Sequence, residues 1–322
     1  MVAVAPLPNE QDEGSKGLGA RIYKRLSDIP TWALWVLVIA WTIPSFSLFV
    51  NSFRSRNDQR SFGFWTVFTE GEGLTLDNYE TTLVQPGADN LGQSVISSFA
   101  IAIPATVIPI AFAAFAAYAF AWIDFKGREW LFIVTVSLLA IPLQVALIPL
   151  LSTYVGGAHW TVPFTGRTLT LIPDLDLNTR GSIAVWLTHT GFAMPFAIFL
   201  LHNYISELPK EVFESARLDG ADHFTIFWRL VLPLSVPALA AFGIFQFLWT
   251  WNDFLIALTM LSGGNPVDLP TTVRIANLAG DFGRNEHLLP AGAFIQALVP
   301  LIVFFSLQRY FVRGLLAGSV KG

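Results

Sequence analysis

The side chains best suited to binding a solute lie within one long apolar run. Gln246, Thr250 and Asp253 are spaced by four and three residues, which predicts that they share one face of a helix. Trp249 and Asn252 lie beside them. Amide, hydroxyl and carboxylate groups can hydrogen-bond to sugar hydroxyls, and an indole can pack on the apolar face of a sugar ring. The alternative interpretation is that Asn252 and Asp253 tie this helix to a neighbouring one.

The patterns that catalysis or metal binding requires are missing from the sequence. It has no cysteine, and its five histidines do not show metal-ligand spacing. It also lacks the G-x-x-x-x-G-K-[ST] loop that binds nucleotide phosphates. We therefore predict no catalytic residue, no metal site and no cofactor in this chain, so that any ATP and Mg²⁺ would be bound by a partner. Gln144 and His189 are weaker candidates for a solute pathway, with hydrogen bonding inside the protein as the alternative.

The composition predicts an all-α polytopic membrane protein. Hydrophobic residues make up 53% of the 322 residues and charged residues 13%, against about 25% charged in soluble domains. The net charge of −4 gives no indication of a nucleic-acid partner. Six apolar runs reach the roughly 20 residues that a helix needs to cross a bilayer. They are Trp32–Val50, Ser94–Ile123, Trp130–Leu151, Ser182–Leu201, Pro237–Leu261 and Ala291–Tyr310.

The positions of lysine and arginine predict the orientation. With six crossings, Lys126, Arg128 and the segment from Arg309 onward lie on the same side as the N-terminus. The positive-inside rule places that side in the cytoplasm. The predicted organisation begins with a cytoplasmic tail over 1–30 and a first membrane helix with an external loop over 31–93. A core of five membrane helices, with a cytoplasmic loop at 203–236, then covers 94–311, and a cytoplasmic tail covers 312–322.

Two long loops, 51–93 and 152–181, are predicted outside the membrane. The first has a helix-like entry at Leu76–Tyr79, and the alternation at Arg167–Leu171 predicts a small hairpin in the second. Contact with an external binding protein and a simple connecting role are both consistent with these loops.

The stretch 207–237 predicts two short helices between two apolar runs. Pro209 suits the first turn of a helix, and Gly220 suits the left-handed residue that ends it. Asp222 can cap a second helix that runs to Leu232 and is ended by a proline. Two short helices joined at a glycine would form a rigid projection that transmits force. The alternative is an amphipathic loop that lies on lipid headgroups.

The residues of this stretch resemble a known signature. Glu214-Ser215-Ala216 is followed after three residues by Gly220, and after nine more by Leu230-x-Leu232-Pro233. This pattern is similar to the E-A-A-x3-G-x9-I-x-L-P signature of permease subunits of binding-protein-dependent ABC importers, with serine in place of its second residue and leucine in place of its isoleucine. The resemblance implies that the loop docks on an ATPase through Glu214, Ser215, Ala216, Asp219, Gly220, Leu232 and Pro233.

The resemblance covers nearly the whole chain from about residue 75. LDNY at 76–79, PLQVALIPL at 142–150, WNDF at 251–254 and GLLAGSVKG at 314–322 resemble the smaller permease of the maltose-type, carbohydrate uptake 1 importers. Within that group, IFQFLWTWND at 244–253 is most similar to the alpha-glucoside permeases. The implied fold is therefore that of a type I ABC importer permease, and the implied substrate is an oligosaccharide or alpha-glucoside.

The resemblance also implies the partners and the location. They are a second permease in a heterodimer, an ATPase dimer that hydrolyses ATP, and an external solute-binding protein, in the bacterial cytoplasmic (inner) membrane with both termini in the cytoplasm. The resemblance further implies that the tail inserts between the ATPase subunits through Gly318, Ser319, Val320, Lys321 and Gly322.

Two other functional classes fit the sequence less well. A stand-alone secondary transporter would couple to ions through acids inside the membrane, where the sequence offers only Asp253, and would often show an internal repeat, which is not evident. A membrane enzyme would need paired acids or a metal cluster. The densest acids lie in 207–222, where they alternate with basic residues in a pattern typical of helix surfaces.

Overall fold

The computed structural model describes residues 30–71, 73–84, 90–163, 165–261, 263, 268–278, 283 and 285–317, with the backbone alone from 309 onward. The described chain is mostly helical and contains one two-stranded hairpin. The elements are α1 (Thr31–Ser52), α2 (Arg56–Ser61), α3 (Thr66–Thr69), α4 (Asp77–Leu83), α5 (Gly92–Trp122), α6 (Arg128–Ser137), α7 (Leu143–Gly156), β1 (Ala158–Thr161), β2 (Thr168–Ile172), α8 (Leu177–Ser206), α9 (Lys210–Leu218), α10 (His223–Ile226), α11 (Leu232–Leu234), α12 (Val236–Trp251), α13 (Leu255–Leu261), α14 (Thr271–Leu278) and α15 (Leu289–Ala317).

The apolar helices account for four to six membrane spans among the described residues. Helices α1, α5 and α8, and the last helix over Glu286–Gln308, are each long and apolar enough to cross a membrane. Two more spans are present if each of two bent helix pairs counts as one. The predicted all-α polytopic membrane fold is therefore confirmed, although not every span is a continuous helix.

The predicted third span, Trp130–Leu151, is interrupted. Helix α6 continues into a 3₁₀ turn at Leu138–Ala140, and α7 then leaves at an angle of 102°. The residue before Pro142 is extended, with φ −78° and ψ 116°. Because the proline ring clashes with a helical residue before it, Ile141 breaks the helix where the sequence places Pro142.

The predicted fifth span, Pro237–Leu261, is interrupted as well. Helix α12 ends at Trp251, and α13 begins only at Leu255. At its other end, α12 meets the helical segment His223–Leu234 at a bend of 69°. The polar residues that the sequence placed on the face of one helix therefore lie at the end of α12 and in the break after it.

The core of the bundle depends on small residues where α5 meets α8. Ala113 and Ala117 of α5 and Ala193 and Ala197 of α8 are almost completely buried in one cluster. Small side chains let two helix backbones approach closely, which is how helices associate within a membrane. Helix α12 packs on both, whereas nearly every side chain of α1 is exposed, as expected of a helix that faces lipid or a partner.

The segment after α1 folds around a buried arginine. The guanidinium of Arg54 donates to the Asp58 carbonyl and to Thr66 Oγ1, each at 3.0 Å, and the Asn78 amide donates to the carbonyl of Arg54 at 2.8 Å. These bonds hold α2, α3 and α4 at the end of α1. Helix α4 begins within the helix-like entry that the sequence predicted at 76–79.

The hairpin and the stretch 207–237 lie at opposite ends of α8. Strands β1 and β2 pair antiparallel, with Trp160 opposite Leu169, which confirms the predicted hairpin. Helix α8 follows with a kink at Arg180, and its 26 residues from Gly181 to Ser206 give a length of about 39 Å at 1.5 Å per residue. This length is enough to place its two ends on opposite sides of a bilayer.

The predicted orientation can be tested with single cysteines, because the chain contains none of its own. We expect Thr165→Cys, beside the hairpin turn, to react with a membrane-impermeant thiol reagent in intact cells. Leu218→Cys, at the end of α9, is 89% exposed and should react only after the cells are permeabilised. Labelling of Leu218→Cys in intact cells, with protection of Thr165→Cys, would reverse the orientation.

Candidate functional site

The loop element, residues 207–237, contains the two predicted helices and the predicted left-handed glycine. Helix α9 ends at Leu218, and Gly220 has φ +82°. The N–H of Gly220 donates to the Arg217 carbonyl at 3.0 Å, and the N–H of Ala221 donates to the Ala216 carbonyl at 2.9 Å. These bonds satisfy carbonyls at the end of α9 and are possible because glycine adopts the left-handed conformation at little cost.

Asp222 caps the second helix as predicted. Its carboxylate accepts the N–H of Thr225 at 2.8 Å. Hydrogen bonds from the side chain and the backbone N–H of Thr225 hold the pKa of Asp222 below its ordinary value. A carboxyl group with a lowered folded-state pKa stabilises the fold above its unfolded pKa and loses that contribution as the pH falls through the folded value. The cap is therefore fully charged at neutral pH.

The prediction that Pro233 ends the second helix is wrong by two residues. After α10, Phe227–Val231 form a π-helical turn, and α11 continues through Pro233 to Leu234. A π turn changes the hydrogen-bond register, so a proline, which has no N–H to donate, can follow it without leaving the helix. The bend to α12 falls instead at Ser235, whose N–H donates to the Val231 carbonyl at 2.9 Å.

The loop element has one side anchored in the bundle and another facing outward. Phe213, Ile226 and Phe227 are buried in the main core cluster. Leu218 and Phe224 are 89% and 68% exposed. Among the predicted docking residues, Ala216 and Leu232 are half-buried against the core, whereas exposed positions are held by Glu214, Ser215, Asp219, Gly220 and Pro233. The element therefore presents large apolar side chains on a fixed turn.

Asp253 does not share a helical face with the other predicted solute-binding residues. Its carboxylate accepts the N–H of Ile256 at 3.3 Å and that of Ala257 at 3.0 Å, which caps α13. Its Oδ2 lies 3.6 Å from Nε2 of His189, and the Thr272 hydroxyl donates to its backbone carbonyl at 2.6 Å. The Asp253 side chain is only 7% exposed. This geometry agrees with the alternative interpretation, in which Asp253 connects neighbouring helices.

Gln246 and Thr250 are buried where α12 meets α5. The Gln246 amide donates to the Ala105 carbonyl at 3.1 Å and to Thr250 Oγ1 at 3.3 Å. Asn252 is exposed and donates to the Leu248 carbonyl at 2.8 Å, at the end of α12. These three side chains satisfy backbone or neighbouring groups, and their predicted contact with a solute stays a prediction.

Trp249 is the predicted solute-binding residue that lines an open groove. The groove has a volume of about 390 Å³, and its lining includes Tyr154 and Thr188 among mostly apolar side chains of α7, α8 and the 3₁₀ turn that follows α6. The Thr188 hydroxyl donates to Tyr154 Oη at 3.4 Å, and the His189 ring meets Trp249 edge to face at 5.5 Å. Aromatic faces beside hydroxyl groups are the surface that the sequence predicted for a sugar.

The groove includes two residues that the sequence reasoning missed. Tyr154 and Thr188 come from α7 and α8, about 60 to 100 residues before Trp249, and no local pattern singles them out. Gln144, which was predicted as a weaker candidate, is exposed on α7 and does not line this groove. The predicted tail contacts at 318–322 lie outside the described residues.

The fold defines the class of protein. The chain is similar over 95% of its length to all of a chain in the crystal structure of a bacterial ABC transporter involved in the import of the acidic polysaccharide alginate, with a TM-score of 0.64 and 18% identity. This fold is that of a type I ABC importer permease. Residues 109–317 match the profile of the family described as binding-protein-dependent transport system inner membrane component, and the chain belongs to this family.

Two relatives match most of the chain. The osmoprotective compounds uptake permease protein GgtD of Synechocystis sp. is 48% identical over 90% of both chains. The alpha-glucoside transport system permease protein AglG of Rhizobium meliloti is 50% identical over 84% of this chain and 68% of its own length. The chain is therefore a multi-pass transport subunit of the membrane rather than an enzyme.

Gly220 offers a test of the rigid turn. A Cβ at Gly220 would meet no atom within 4 Å, so the cost of a substitution comes from the left-handed backbone. That cost is roughly 1–2 kcal/mol. We expect Gly220→Ala to reduce transport moderately and Gly220→Val to reduce it more, with membrane levels unchanged, because the six apolar segments lie outside the turn. Uptake and the amount of protein in membranes would be measured together.

Gly127 provides the matched control for this prediction. Its φ is +83°, and a Cβ there would likewise meet no atom within 4 Å. Gly127→Ala should therefore bear the same backbone cost outside the loop element and retain transport. Full uptake by Gly220→Val would show that the shape of this turn does not matter.

Asp253 offers a test that separates helix capping from solute binding. Asparagine keeps one of the two acceptor oxygens and in general caps helices about as well as aspartate, whereas loss of a cap costs about 0.5–2 kcal/mol. We expect Asp253→Asn to retain both folded protein and uptake, and Asp253→Ala to lower the melting temperature of the purified protein. Trp249→Ala should fold normally and lower uptake. Loss of uptake in a normally folded Asp253→Asn variant would instead favour contact with the solute.

Proposed function

We propose that this chain is one permease subunit of an ATP-driven importer of sugars, specifically of an oligosaccharide or alpha-glucoside. The family assignment and the permease fold support the transport role. The name of the relative from Rhizobium meliloti supports an alpha-glucoside, and that of the arabinooligosaccharides transport system permease protein AraQ, 31% identical, supports an oligosaccharide.

The observation that carries this proposal is the geometry of the loop element. A glycine turn and a capped helix hold Leu218 and Phe224 outward on a frame anchored by buried aromatic rings. Exposed large apolar side chains on a rigid support are suited to a pocket on another protein. We assign that pocket to a separate ATPase dimer, which binds ATP and Mg²⁺ and hydrolyses the ATP.

The remaining partners and the location follow from the same proposal. A second permease forms a heterodimer with this chain, and an external solute-binding protein delivers the sugar. The complex lies in the bacterial cytoplasmic membrane with both termini inside. The tail residues 318–322 contact the ATPase dimer, as the resemblance of the sequence implies.

The groove around Trp249 is the part of the chain that we assign to the sugar pathway. Trp249 lines the groove with an aromatic ring, and the buried pair of Tyr154 and Thr188, which are hydrogen-bonded to each other, forms part of its wall. A stand-alone secondary transporter, the other class considered, would need a titratable acid free to exchange ions. Because the carboxylate of Asp253 caps α13, its geometry favours a structural role over that mechanism.

The experiment that tests the proposal is copurification of the ATPase with substituted permease. Leu218→Asp places a charge where an apolar side chain would be buried, and burial of a leucine contributes about 1.5–3 kcal/mol, so we expect at least about tenfold weaker association. Leu171→Asp, on the hairpin at the other end of α8, is the control, because Leu171 is similarly exposed. Uptake of radiolabelled maltose, trehalose and sucrose would be measured in the same cells.

The outcomes separate the parts of the proposal. Loss of both ATPase association and uptake in Leu218→Asp, with neither lost in Leu171→Asp, would support docking through the loop element. Equal association in the two variants would contradict it. Uptake of none of the three sugars by the wild type would contradict the assignment of an alpha-glucoside.

A further inference from the structure

Three aromatic side chains near the end of α5 contact both halves of the loop element. Phe115, Tyr118 and Trp122 are separated by three and four residues, which places them on one face of α5. We call these three residues the aromatic ladder. Helix α5 is separated from the loop element in the chain by α6, α7, the hairpin and α8, so the contacts between them are tertiary contacts.

The last residue of the ladder fixes the first half of the loop element. The Trp122 ring stacks on Phe213 of α9, with centroids 3.8 Å apart and an angle of 10° between the planes. Its Nε1 donates to the Ile205 carbonyl at 3.0 Å, at the end of α8. Phe213 is only 1% exposed. One indole therefore positions α9 and the end of the helix that precedes it.

The other two residues fix the second half. The Tyr118 hydroxyl forms a hydrogen bond with Nδ1 of His223 at 2.9 Å. Which of the two atoms donates depends on the histidine tautomer. The Phe115 ring stacks on Phe227 with centroids 4.4 Å apart, and Tyr118 also meets Phe227 at 5.6 Å. These contacts reach both α10 and the π turn, on the far side of Gly220 from α9.

The chain connections of the loop element lie at breaks between helices. Helix α8 ends at Ser206, and non-helical residues lead to α9. At the other end, the bend of 69° lies at Ser235, before α12. Both connections are breaks in helices, where backbone angles can change most easily. Side-chain packing on α5 therefore restrains the loop element independently of its own chain ends.

We propose that the aromatic ladder positions the loop element and makes it move together with α5 during transport. This inference rests on the proposed coupling to an ATPase. The Gln246 amide connects α12 to α5 through the Ala105 carbonyl, and α8, which supplies Thr188 to the groove, packs along α5. A displacement of the loop element by the ATPase would thus reach the groove through α5.

A distance measurement tests the inference directly. Val107 of α5 and Glu211 of the loop element are both exposed, and Glu211 is not one of the predicted docking residues. Spin labels on Val107→Cys and Glu211→Cys would report one distance in a chain without other cysteines. The complex would be assembled with its partner permease and ATPase and measured without nucleotide and with ATP trapped. We expect the same narrow distance in both states, and a broadened one when Trp122→Ala is added.

A wild-type distance that changes with nucleotide would overturn the inference, because the loop element would then move relative to α5. A distribution that stays narrow in Trp122→Ala would overturn it too. Neither result depends on transport activity.

Transport measurements supply the second test. An aromatic stack biases an equilibrium by about two- to tenfold, so we expect Trp122→Ala to lower the sugar transported per ATP hydrolysed by about that factor. Phe112→Ala removes an exposed ring from the same helix and should leave this ratio unchanged. Tyr118→Phe removes only the hydroxyl and should lower the ratio less than Trp122→Ala does.

The wild type separates this inference from the proposed function. Absence of ATP hydrolysis stimulated by maltose, trehalose or sucrose in the wild-type complex would contradict the alpha-glucoside assignment of the proposed function. Stimulated hydrolysis in the wild type, with the same transport per ATP in Trp122→Ala, Tyr118→Phe and Phe112→Ala, would contradict the ladder alone. If Trp122→Ala does not fold, Tyr118→Phe and the wild-type distances decide the question.

Discussion

Backbone groups released where helices break must find hydrogen-bond partners, and the rest of this structure depends on how they do so. Within a membrane, water is not available to satisfy these groups, and each one left without a partner would cost several kcal/mol. At the break after α12, Asp253 accepts two N–H groups of α13. Nearby, the Gln296 amide donates to the Trp251 carbonyl at 3.0 Å, and the N–H of Thr271 donates to Ser98 Oγ at 2.9 Å. These bonds connect α5, α12, α13, α14 and α15 at one place.

The same requirement shapes the loop element. A left-handed glycine allows the last carbonyls of α9 to be satisfied, and the Asp222 carboxylate satisfies an N–H of the next helix. Because the polar backbone groups at both helix ends find hydrogen-bond partners within a few residues, the turn has little conformational freedom. Its buried face then packs on α5, and its outer face is left with exposed leucine and phenylalanine. The rigidity that a coupling role needs is thus a consequence of local hydrogen bonding and of aromatic packing.

Two predictions about helices, one based on periodicity and one on a proline, failed for a common reason. The i, i+4, i+7 spacing of Gln246, Thr250 and Asp253 is meaningful only while the helix continues, and α12 ends at Trp251. Similarly, Pro233 was expected to end a helix. The π turn before it changes the hydrogen-bond register, so the helix continues although proline has no N–H to donate. In both cases a short departure from α-helical geometry changes the direction of every later side chain. Apolar composition does not encode such departures, since the residues on either side are equally apolar.

Short-range signals in the amino-acid sequence were sufficient for much of this protein. Hydrophobic run length identified the membrane helices, and Gly220 and Asp222 identified the turn and cap of the loop element, because each feature depends on a few adjacent residues. The groove of Tyr154, Thr188 and Trp249, the Trp122–Phe213 stack and the capping role of Asp253 became evident only in the folded chain. Those features bring together side chains from different helices. Their positions are set by the crossing angles and breaks of the helices, which long-range packing determines.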